Sequence, residues 1–337
     1  MEKTLRKLVQ EYRNRNFFPS ASIRVFNTKG TLCALCVGDA GPDTVFDLAS
    51  LTKIASAAQI LFAVFRGLLS LESPVLGLLP ALSAYPLLRE RLSVVTIRKL
   101  LTHSSGIAPW YPFYAEPGGF AEVLSCALEK TGPVEGTVYS DINFMLLGMV
   151  LEALYRLPLD QCLKHNLTTP LELGKMAYRP PAAWDTAPSG FGNPIEEDMC
   201  AERGIVFSGW RPHEPLRGEA HDGNAYYFFK GIAGHAGLFA DALSCEKLCR
   251  LYLETDIPLF IEAQKEQAPG RGLGWQVGEL YPDGCGHTGF TGTSLYISRK
   301  RDIGVAALTN RLFCPAPNPN PLNEFRNSLH RAVLACI

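Results

Sequence analysis

The sequence predicts an α+β fold, an α/β sandwich in which an antiparallel sheet built from both chain ends is flanked by helices. Two runs with strand composition lie near each end of the chain, at 21–38 and at 293–309, and a short turn-forming segment joins each pair. The stretch between them carries apolar residues mainly at helical spacing, interrupted by loops rich in Pro and Gly. The two ends are therefore expected to share one sheet and to enclose a mainly helical insertion.

The N-terminal elements are predicted to be a helix and a hairpin. Leu5, Val9 and Tyr12 recur at the spacing of one helix face. Residues 21–27 and 31–38 are rich in β-branched and aromatic residues, and the Asn-Thr-Lys-Gly segment between them supplies turn residues. The opening order is therefore helix, strand, turn and strand.

The C-terminal elements mirror this arrangement. Residues 293–298 and 303–309 form a second predicted hairpin around the charged turn 299–302. Phe325 and Val333 lie on one face of a closing helix. A sheet made from both hairpins would bring the two ends of the chain together.

The middle of the chain is predicted to be helical, with one long loop region. Residues 180–215 contain many Pro and Gly and little periodicity, so we expect ordered loops over a cleft there. The strongest helical periods are at 54–69, 119–129 and 144–155.

These elements predict one domain over 1–337 with two parts. The sheet part comprises about 1–49 and 270–337, and the mainly helical part comprises about 50–269. A cleft is expected where the two parts meet, since ligands usually bind at such junctions.

Composition excludes several classes of protein. Hydrophobic residues make up 47% of the 337 positions and charged residues 19%, which excludes disorder as the main state. The net charge of −1 argues against nucleic acid as a partner. The longest apolar run near the N-terminus, 54–65, is shorter than the roughly 20 residues that span a bilayer, and the charged N-terminus lacks an export signal. We therefore expect a cytoplasmic protein without a membrane partner.

The cysteines predict neither disulfides nor a metal centre. The ten cysteines are scattered, and in a reducing compartment such thiols stay free. Cys33 and Cys36 have a metal-like spacing, but no second Cys pair or His pair at ligand spacing accompanies them. No metal and no cofactor is predicted.

Ser50 and Lys53 are candidates for nucleophilic catalysis. They lie three residues apart at the start of the helix predicted near 54, so both side chains can share one face. A serine hydroxyl needs a base, and a lysine can act as one if burial or nearby dipoles lower its pKa, as this apolar helix start would favour. The alternative is a helix-capping serine beside a lysine that extends to solvent.

Tyr139 is a candidate proton relay. It precedes the helix period at 144–155 and follows a Pro- and Gly-containing turn, so a loop could direct it into the cleft. A phenol near a lysine can pass a proton to a leaving group. The alternative is a buried tyrosine with a satisfied hydroxyl.

The His287-Thr288-Gly289 segment is a candidate substrate-binding edge. It precedes Phe290 and the strand at 293–298, and its glycine lets backbone approach a ligand closely. A backbone N–H at such an edge can stabilise an oxyanion, while Thr and His side chains bind polar groups of a substrate. The alternative is an ordinary turn before a strand.

Taken in order along the chain, these motifs give the sequence a clear family resemblance. It resembles the serine β-lactamase and penicillin-binding protein superfamily, in particular the branch of class C β-lactamases, low-molecular-weight penicillin-binding proteins and family VIII esterases. The resemblance covers nearly the whole chain and implies the β-lactamase/transpeptidase-like fold. It is carried by the segments at 50–53, 100–107, 139–144, 221–225, 234–239 and 287–289.

The resemblance implies a role for each matching residue. Ser50 would be the acylated nucleophile, Lys53 its activating amine and Tyr139 the proton relay. The backbone N–H groups of Ser50 and Phe290 would form the oxyanion hole. Asp141, His287, Thr288 and Gly289 would contact the substrate. His103 and His235, which lie in family-like segments, are expected to fix loops through hydrogen bonds.

Two departures from the family pattern affect the predicted substrate. Asp141 stands where many members have Asn, and His287 stands where class C β-lactamases have Lys. A histidine is mostly neutral at neutral pH, whereas lysine is a cation that holds a substrate carboxylate. We therefore expect weak selection for penicillin-like acids and better turnover of small uncharged esters or amides.

The sequence thus predicts a serine hydrolase that acts through an acyl-enzyme on Ser50. Small esters or amides are ranked first as substrates, a D-Ala-D-Ala carboxypeptidase or D-aminopeptidase activity second, and a β-lactamase third. The rival from another class is a non-catalytic penicillin-recognising binding protein. The only predicted partner is a small-molecule ester, amide or β-lactam-like substrate, and the sequence carries no prediction of oligomeric state.

Overall fold

The structure is a computed structural model that describes residues 1–314, 316 and 320–337. Its main sheet is antiparallel and has the order β2-β1-β9-β8-β7-β6. A short second sheet has the order β3-β5-β4. The strands are β1 Ala21–Asn27, β2 Gly30–Val37, β3 Phe46–Asp47, β4 Met176–Tyr178, β5 Leu238–Ala240, β6 Gln276–Val277, β7 Cys285–Thr288, β8 Ser294–Ser298 and β9 Ile303–Thr309.

Helices cover the main sheet and form the middle of the chain. The first and last helices pack on each other, as expected for two chain ends that share one layer. The helices are α1 Glu2–Asn14, α2 Thr52–Phe65, α3 Val75–Leu78, α4 Pro86–Arg91, α5 Ile97–Leu101, α6 Phe120–Thr131, α7 Asp141–Tyr155, α8 Leu159–Leu163, α9 Pro194–Glu202, α10 Ala242–Glu254, α11 Pro258–Glu262 and α12 Asn323–Leu334.

The predicted pairing of the two chain ends is confirmed. Strand β1 pairs with β2 on one side and with β9 on the other, so that Ala21 lies opposite both Val37 and Thr309. The sheet continues through β8 and β7, and β7 contacts the turn at Ala49–Leu51, directly before α2. The α+β fold predicted from the sequence is therefore the observed one.

Helix α2 is the central element of the core. It is buried along most of its length, and a helix that is apolar on nearly all sides belongs inside a protein rather than on its surface. It packs against α7, α8 and α11. Lys53, in its first turn, is therefore completely buried.

The region at 180–215 differs from its prediction as loops. It contains α9, Pro194–Glu202, which begins with Pro at its first position and with Glu196 and Glu197 in its first turn. These are helix-start signals. The helix was not predicted because it has little apolar periodicity and because the surrounding Pro and Gly residues are typical of loops. The rest of the region forms irregular loops.

No single helix among the described residues is long and apolar enough to cross a membrane. One bent pair, Asp141–Tyr155 with Leu159–Thr168, reaches the required length and composition only when its two parts are taken together across a 78° bend.

Candidate active site

Ser50 lies in a tight turn directly before α2. The turn, Ala49–Leu51, is a single 3₁₀ turn rather than the first turn of the α-helix. Ala49 has a φ of +46°, a conformation that non-glycine residues rarely adopt. The buried Asp47 carboxylate accepts the Ala49 N–H at 2.8 Å and the His221 N–H at 2.7 Å, which fixes this conformation. The chain thus places Ser50 on a strained and well-supported turn.

The Lys53 ammonium is completely buried and faces Ser50. It donates to Ser50 Oγ at 2.9 Å and to the backbone carbonyl of His235 at 3.0 Å. Its Nζ also lies 2.7 Å from Asp141 Oδ1, as an ion pair rather than a well-directed hydrogen bond. The predicted pairing of serine and lysine side chains is therefore present, with a carboxylate as an additional partner.

Close packing of Gly234 against helix α7 brings the carbonyl of the next residue, His235, to Lys53. A Cβ at Gly234 would lie 2.1 Å from the Phe144 carbonyl oxygen of α7, so only glycine permits this approach. The His235 ring is fixed as expected, because its Nε2 lies 3.0 Å from Asp222 Oδ1. His235 is thus a loop-fixing residue whose carbonyl also contacts the lysine.

The charge on Asp141 reverses the direction of the pKa shift expected for Lys53. Burial lowers the pKa of Lys53, as the sequence led us to expect, but the negative charge of Asp141 and the nearby Tyr139 raise it. The net pKa of Lys53 lies above its ordinary value, because the ion pair outweighs the loss of hydration. The resting site therefore holds an ammonium ion rather than a neutral amine.

Tyr139 lies beside the lysine and is held by His103. The Lys53 Nζ is 5.1 Å from the centre of the Tyr139 ring, and the His103 ring is 4.6 Å from the same centre. The His103 carbonyl accepts the Val138 N–H at 2.9 Å, and His103 Nδ1 accepts the Ser140 N–H at 3.0 Å. His103 thus fixes the backbone on both sides of Tyr139, in agreement with its predicted role.

The Tyr139 phenol is protonated in this site. Burial raises the pKa of Tyr139, and the positive charge of Lys53 offsets this only in part. A neutral phenol next to an ammonium can donate a proton to a leaving group and recover it later.

His287 is buried, neutral and close to Tyr139. Burial and the charge of Lys53 lower the pKa of His287 to about 3. Its Nδ1 donates to the Thr288 carbonyl at 2.9 Å, and its ring centre lies 5.9 Å from that of Tyr139. The side chain at this position is therefore no cation at neutral pH, which is the premise of the sequence-based substrate prediction.

The turn after β7 is joined to the residues before Ser50. Thr291 Oγ1 donates to the Asp47 carbonyl at 2.7 Å, and Thr293 Oγ1 donates to the Leu48 carbonyl at 3.0 Å. A Cβ at Gly289 would lie 2.5 Å from the Leu48 oxygen, so the close approach requires glycine. Within the described residues, the Phe290 N–H has no protein acceptor. It is thus available, close to the Ser50 turn, for an oxyanion.

The structure brings most of the sequence-predicted site residues together. Lys53 contacts both Ser50 and Asp141, Tyr139 lies beside Lys53, and His287 lies beside Tyr139. Asp141, which is predicted to contact the substrate, forms an ion pair with Lys53, and its side chain remains partly exposed. Among the residues that the structure describes, no group of three or more His, Cys, Asp or Glu side chains could hold a metal ion.

Two arginines near the site were missed by the sequence analysis. The guanidinium of Arg271 lies 5.0 Å from the centre of the Tyr139 ring. Arg326, from α12, donates to the Thr293 carbonyl at 2.9 Å and to the Gly289 carbonyl at 3.3 Å, on either side of the turn that holds Phe290. Neither residue has a spacing relation to the site motifs, so only the fold could reveal them.

Comparison with known proteins gives a family and several relatives. The family model described as Beta-lactamase matches residues 5–323. An N-acetylmuramyl-L-alanine amidase of Bacillus subtilis (strain 168) is 31% identical over 336 residues, which cover 87% of this chain and 75% of that protein. A putative D-alanyl-D-alanine carboxypeptidase of Salmonella paratyphi A is 29% identical over 326 residues, with coverage of 85% and 74%.

A solved structure with the same fold is the octameric penicillin-binding protein homologue from Pyrococcus abyssi. Its TM-score is 0.73 at 20% sequence identity, and the match covers 99% of this chain and 77% of that one. This likeness establishes the fold, which agrees with the resemblance inferred from the sequence.

Proposed function

This chain belongs to the β-lactamase family of hydrolases, and we propose that it cleaves small esters or amides through an acyl-enzyme on Ser50. The observation that carries the proposal is the 2.9 Å contact between Lys53 Nζ and Ser50 Oγ, in a buried site that Asp141 completes. A hydroxyl within hydrogen-bond reach of an amine is the arrangement that an activated serine requires.

The proposed reaction has two halves. Before the first half, the Lys53 ammonium releases a proton to solvent and becomes a neutral amine. Ser50 Oγ then attacks the carbonyl carbon, and its proton passes to that amine. Tyr139 then protonates the leaving group as the bond to the carbonyl carbon breaks. In the second half, water attacks the acyl carbon and gives a proton to the Tyr139 phenolate. The bond between the acyl carbon and Ser50 Oγ then breaks, Ser50 recovers its proton from Lys53, and the acid is released.

The backbone completes the site in this proposal. The N–H groups of Ser50 and Phe290 would hold the negative charge that develops on the carbonyl oxygen. Each such donor is worth about 3 kcal/mol in the transition state. The threonine hydrogen bonds from the turn after β7 to residues 47 and 48 would keep the two donors at a fixed separation.

The names of the relatives support amide substrates. One is called an amidase and the other a putative D-alanyl-D-alanine carboxypeptidase. A carboxypeptidase activity is the second candidate for this chain, because the cation of Arg271 lies 5.0 Å from the centre of the Tyr139 ring, the proposed proton donor to the leaving group. A β-lactamase activity ranks third, since His287 supplies no cation.

Trapping of the acyl-enzyme tests the proposal. We expect that brief reaction with a short-chain nitrophenyl ester, a penicillin or a fluorophosphonate adds one group per chain, which peptide mass spectrometry would locate on Ser50. Absence of any adduct on Ser50 with all three reagents would favour the non-catalytic binding protein instead.

Steady-state rates on two chromogenic substrates test the ranking. If neutral His287 governs selection, a short-chain nitrophenyl ester should be turned over with a higher kcat/KM than a chromogenic cephalosporin. A large preference for the cephalosporin would contradict this ranking and favour the β-lactamase.

Asp141→Asn is expected to move the pH profile of the reaction to lower pH. Asp141 raises the pKa of Lys53, so the amine that must accept the serine proton becomes free only at higher pH. The neutral amide removes that charge and lowers the pKa of Lys53, and the rising limb of kcat/KM should follow. Rates of nitrophenyl ester hydrolysis from about pH 6 to about pH 10 would show it.

A matched control uses a carboxylate far from Ser50. Glu262, which is ion-paired with Lys265 on the surface, can be changed to Gln, and this variant should keep the wild-type profile. A limb that is unmoved or shifted to higher pH in Asp141→Asn would show that deprotonated Lys53 is not the base.

A further inference from the structure

The segment 221–225 joins two parts of the active site. The His221 N–H donates to the Asp47 carboxylate, which supports the nucleophile turn, at 2.7 Å. Asp222 Oδ1 lies 3.0 Å from Nε2 of His235. This segment carries part of the family resemblance, yet no step of the proposed reaction uses it. Its hydrogen bonds nonetheless lead to the turn that holds the nucleophile and to the residue whose carbonyl contacts the lysine.

The Asp222 carboxylate holds the His235 ring in one orientation. Burial raises the pKa of Asp222, but the contacts with His235 and with the Ala225 N–H outweigh this, so that the net pKa lies below its ordinary value. The carboxylate is therefore ionised at neutral pH and can only accept hydrogen bonds. His235 Nε2 thus donates to Oδ1 at 3.0 Å, and the Ala225 N–H donates to the same oxygen at 2.7 Å. The His235 side chain is completely buried, which shields its end of this contact from solvent.

The His235 ring is the main side-chain anchor in a segment of small residues. Residues 233–237 read Ala-Gly-His-Ala-Gly, and Gly237 has a φ of +99°, in the left-handed region that favours glycine. Small residues offer few side-chain contacts that could hold a peptide in one direction. The bond to Asp222 therefore aims the His235 carbonyl, which accepts from Lys53 Nζ at 3.0 Å.

The direction of the His235 carbonyl matters most when Lys53 is a neutral amine. As an ammonium, Lys53 donates to Ser50 Oγ at 2.9 Å and to the His235 carbonyl. A further partner is the Asp141 carboxylate at 2.7 Å. The neutral amine has two N–H groups and one lone pair. With one N–H on the carbonyl and the other toward the carboxylate, the lone pair faces the serine hydroxyl, whose proton it must accept.

We propose that Asp222 is a positioning residue which, by holding His235, directs the lone pair of Lys53 at the serine hydroxyl. The inference rests on the proposed function, in which the neutral lysine accepts the proton of Ser50. Asp222 acts on the reaction through the His235 carbonyl and takes no proton itself. The alternative is that the same hydrogen bond serves only the stability of the fold.

Replacement of Asp222 by Ala and by Asn tests the hydrogen bond. Asp222→Ala removes the acceptor, whereas the amide oxygen of Asp222→Asn can still accept from His235 and Ala225, because both bonds are made to one oxygen. We expect kcat/KM for a short-chain nitrophenyl ester to fall about tenfold to a hundredfold in Asp222→Ala, since a misplacement of about 1 Å can cost about a hundredfold. Asp222→Asn should keep most of the wild-type rate. Both are compared at the alkaline plateau, where a change in the pKa of Lys53 no longer affects the rate.

The Lys53→Met background tests whether Asp222 acts through the lysine. Asp222→Ala should cost nothing further in Lys53→Met, because no lone pair is left to direct. A purely structural role would instead lower the residual rate by the same factor in both backgrounds. The rate of Ser50 labelling by a fluorophosphonate, followed by intact-protein mass spectrometry, extends the measurement to the slow variants.

Two further variants separate positioning from stability. Glu246→Ala removes a buried carboxylate that pairs with Arg24 and accepts from Thr31 at the terminal hairpin. It should lower the free energy of unfolding, as Asp222→Ala does, but leave the rate of acylation unchanged. His235→Leu removes the same hydrogen bond from the other side, so its loss of rate should match that of Asp222→Ala. If Asp222→Ala does not fold, the rate of His235→Leu decides the question.

Three results would overturn the proposal while the proposed function stands. One is acylation of Ser50 at the wild-type rate in Asp222→Ala or His235→Leu. Another is an Asp222→Asn variant as slow as Asp222→Ala, and the third is an equal loss in the wild-type and Lys53→Met backgrounds. If Lys53→Met itself is as fast as wild type, the role of the lysine in the proposed function fails, and this inference fails with it.

Discussion

Ser50→Ala is expected to lower kcat/KM for every ester or amide substrate by about 10⁴-fold or more and to abolish covalent labelling. The variant keeps the oxyanion donors and the substrate pocket but has no atom that can be acylated. Residual catalysis would then come from binding and from the oxyanion hole alone. Steady-state rates and intact-protein mass spectrometry with a fluorophosphonate would measure both effects.

The same variant should remain folded. The hydroxyl receives one hydrogen bond from Lys53, and a typical hydrogen bond contributes about 1 kcal/mol net. For a chain of this size such a change moves the melting temperature by about 3 °C or less. Ser93→Ala is a matched control, because Ser93 is exposed and donates only to its own turn at Glu90. Labelling that persists in Ser50→Ala would place the nucleophile elsewhere, and a collapse of the fold would make Ser50 structural.

The elements that the sequence predicts well are those with a strong period. The two terminal hairpins have alternating composition and turn residues, and both β1 with β2 and β8 with β9 appear where expected. Strand β6 has only two residues, so no alternation can reveal it. Its place at the edge of the main sheet follows from its pairing with β7, which depends on the whole fold.

The site shows the same division between local and distant information. The spacing of Ser50 and Lys53 is local, and the structure keeps it as a 2.9 Å contact. The pairing of Lys53 with Asp141 joins α2 to α7, and the sequence offers no means to judge that a carboxylate would outweigh burial. Arg271 lies between two glycines in an irregular segment, where neither periodicity nor motif marks it.

Lys53→Met is the second change with a large expected effect. The apolar side chain cannot accept the serine proton, and general base catalysis typically contributes about 10²- to 10⁴-fold. The variant should lose activity by a factor in this range, while Ser50 and the oxyanion donors stay in place. Rates of nitrophenyl ester hydrolysis and of Ser50 labelling would measure the loss.

The loss of Lys53 also leaves Asp141 without its cation. Removal of one partner from a buried ion pair typically costs about 3 kcal/mol, and the 18% exposure of the Asp141 side chain softens this cost. The double variant Lys53→Met/Asp141→Asn has no unpaired charge, so most of the stability lost in Lys53→Met should return. Its activity should not return, because no amine faces Ser50.

The comparison of these two variants separates catalysis from folding. Urea denaturation gives the free energy of unfolding of each variant, and the rate of Ser50 acylation measures its catalytic activity. If stability returns and acylation stays slow, Lys53 acts on the reaction itself. If acylation recovers in the double variant, the lysine only balances the charge of Asp141, and another group must activate Ser50.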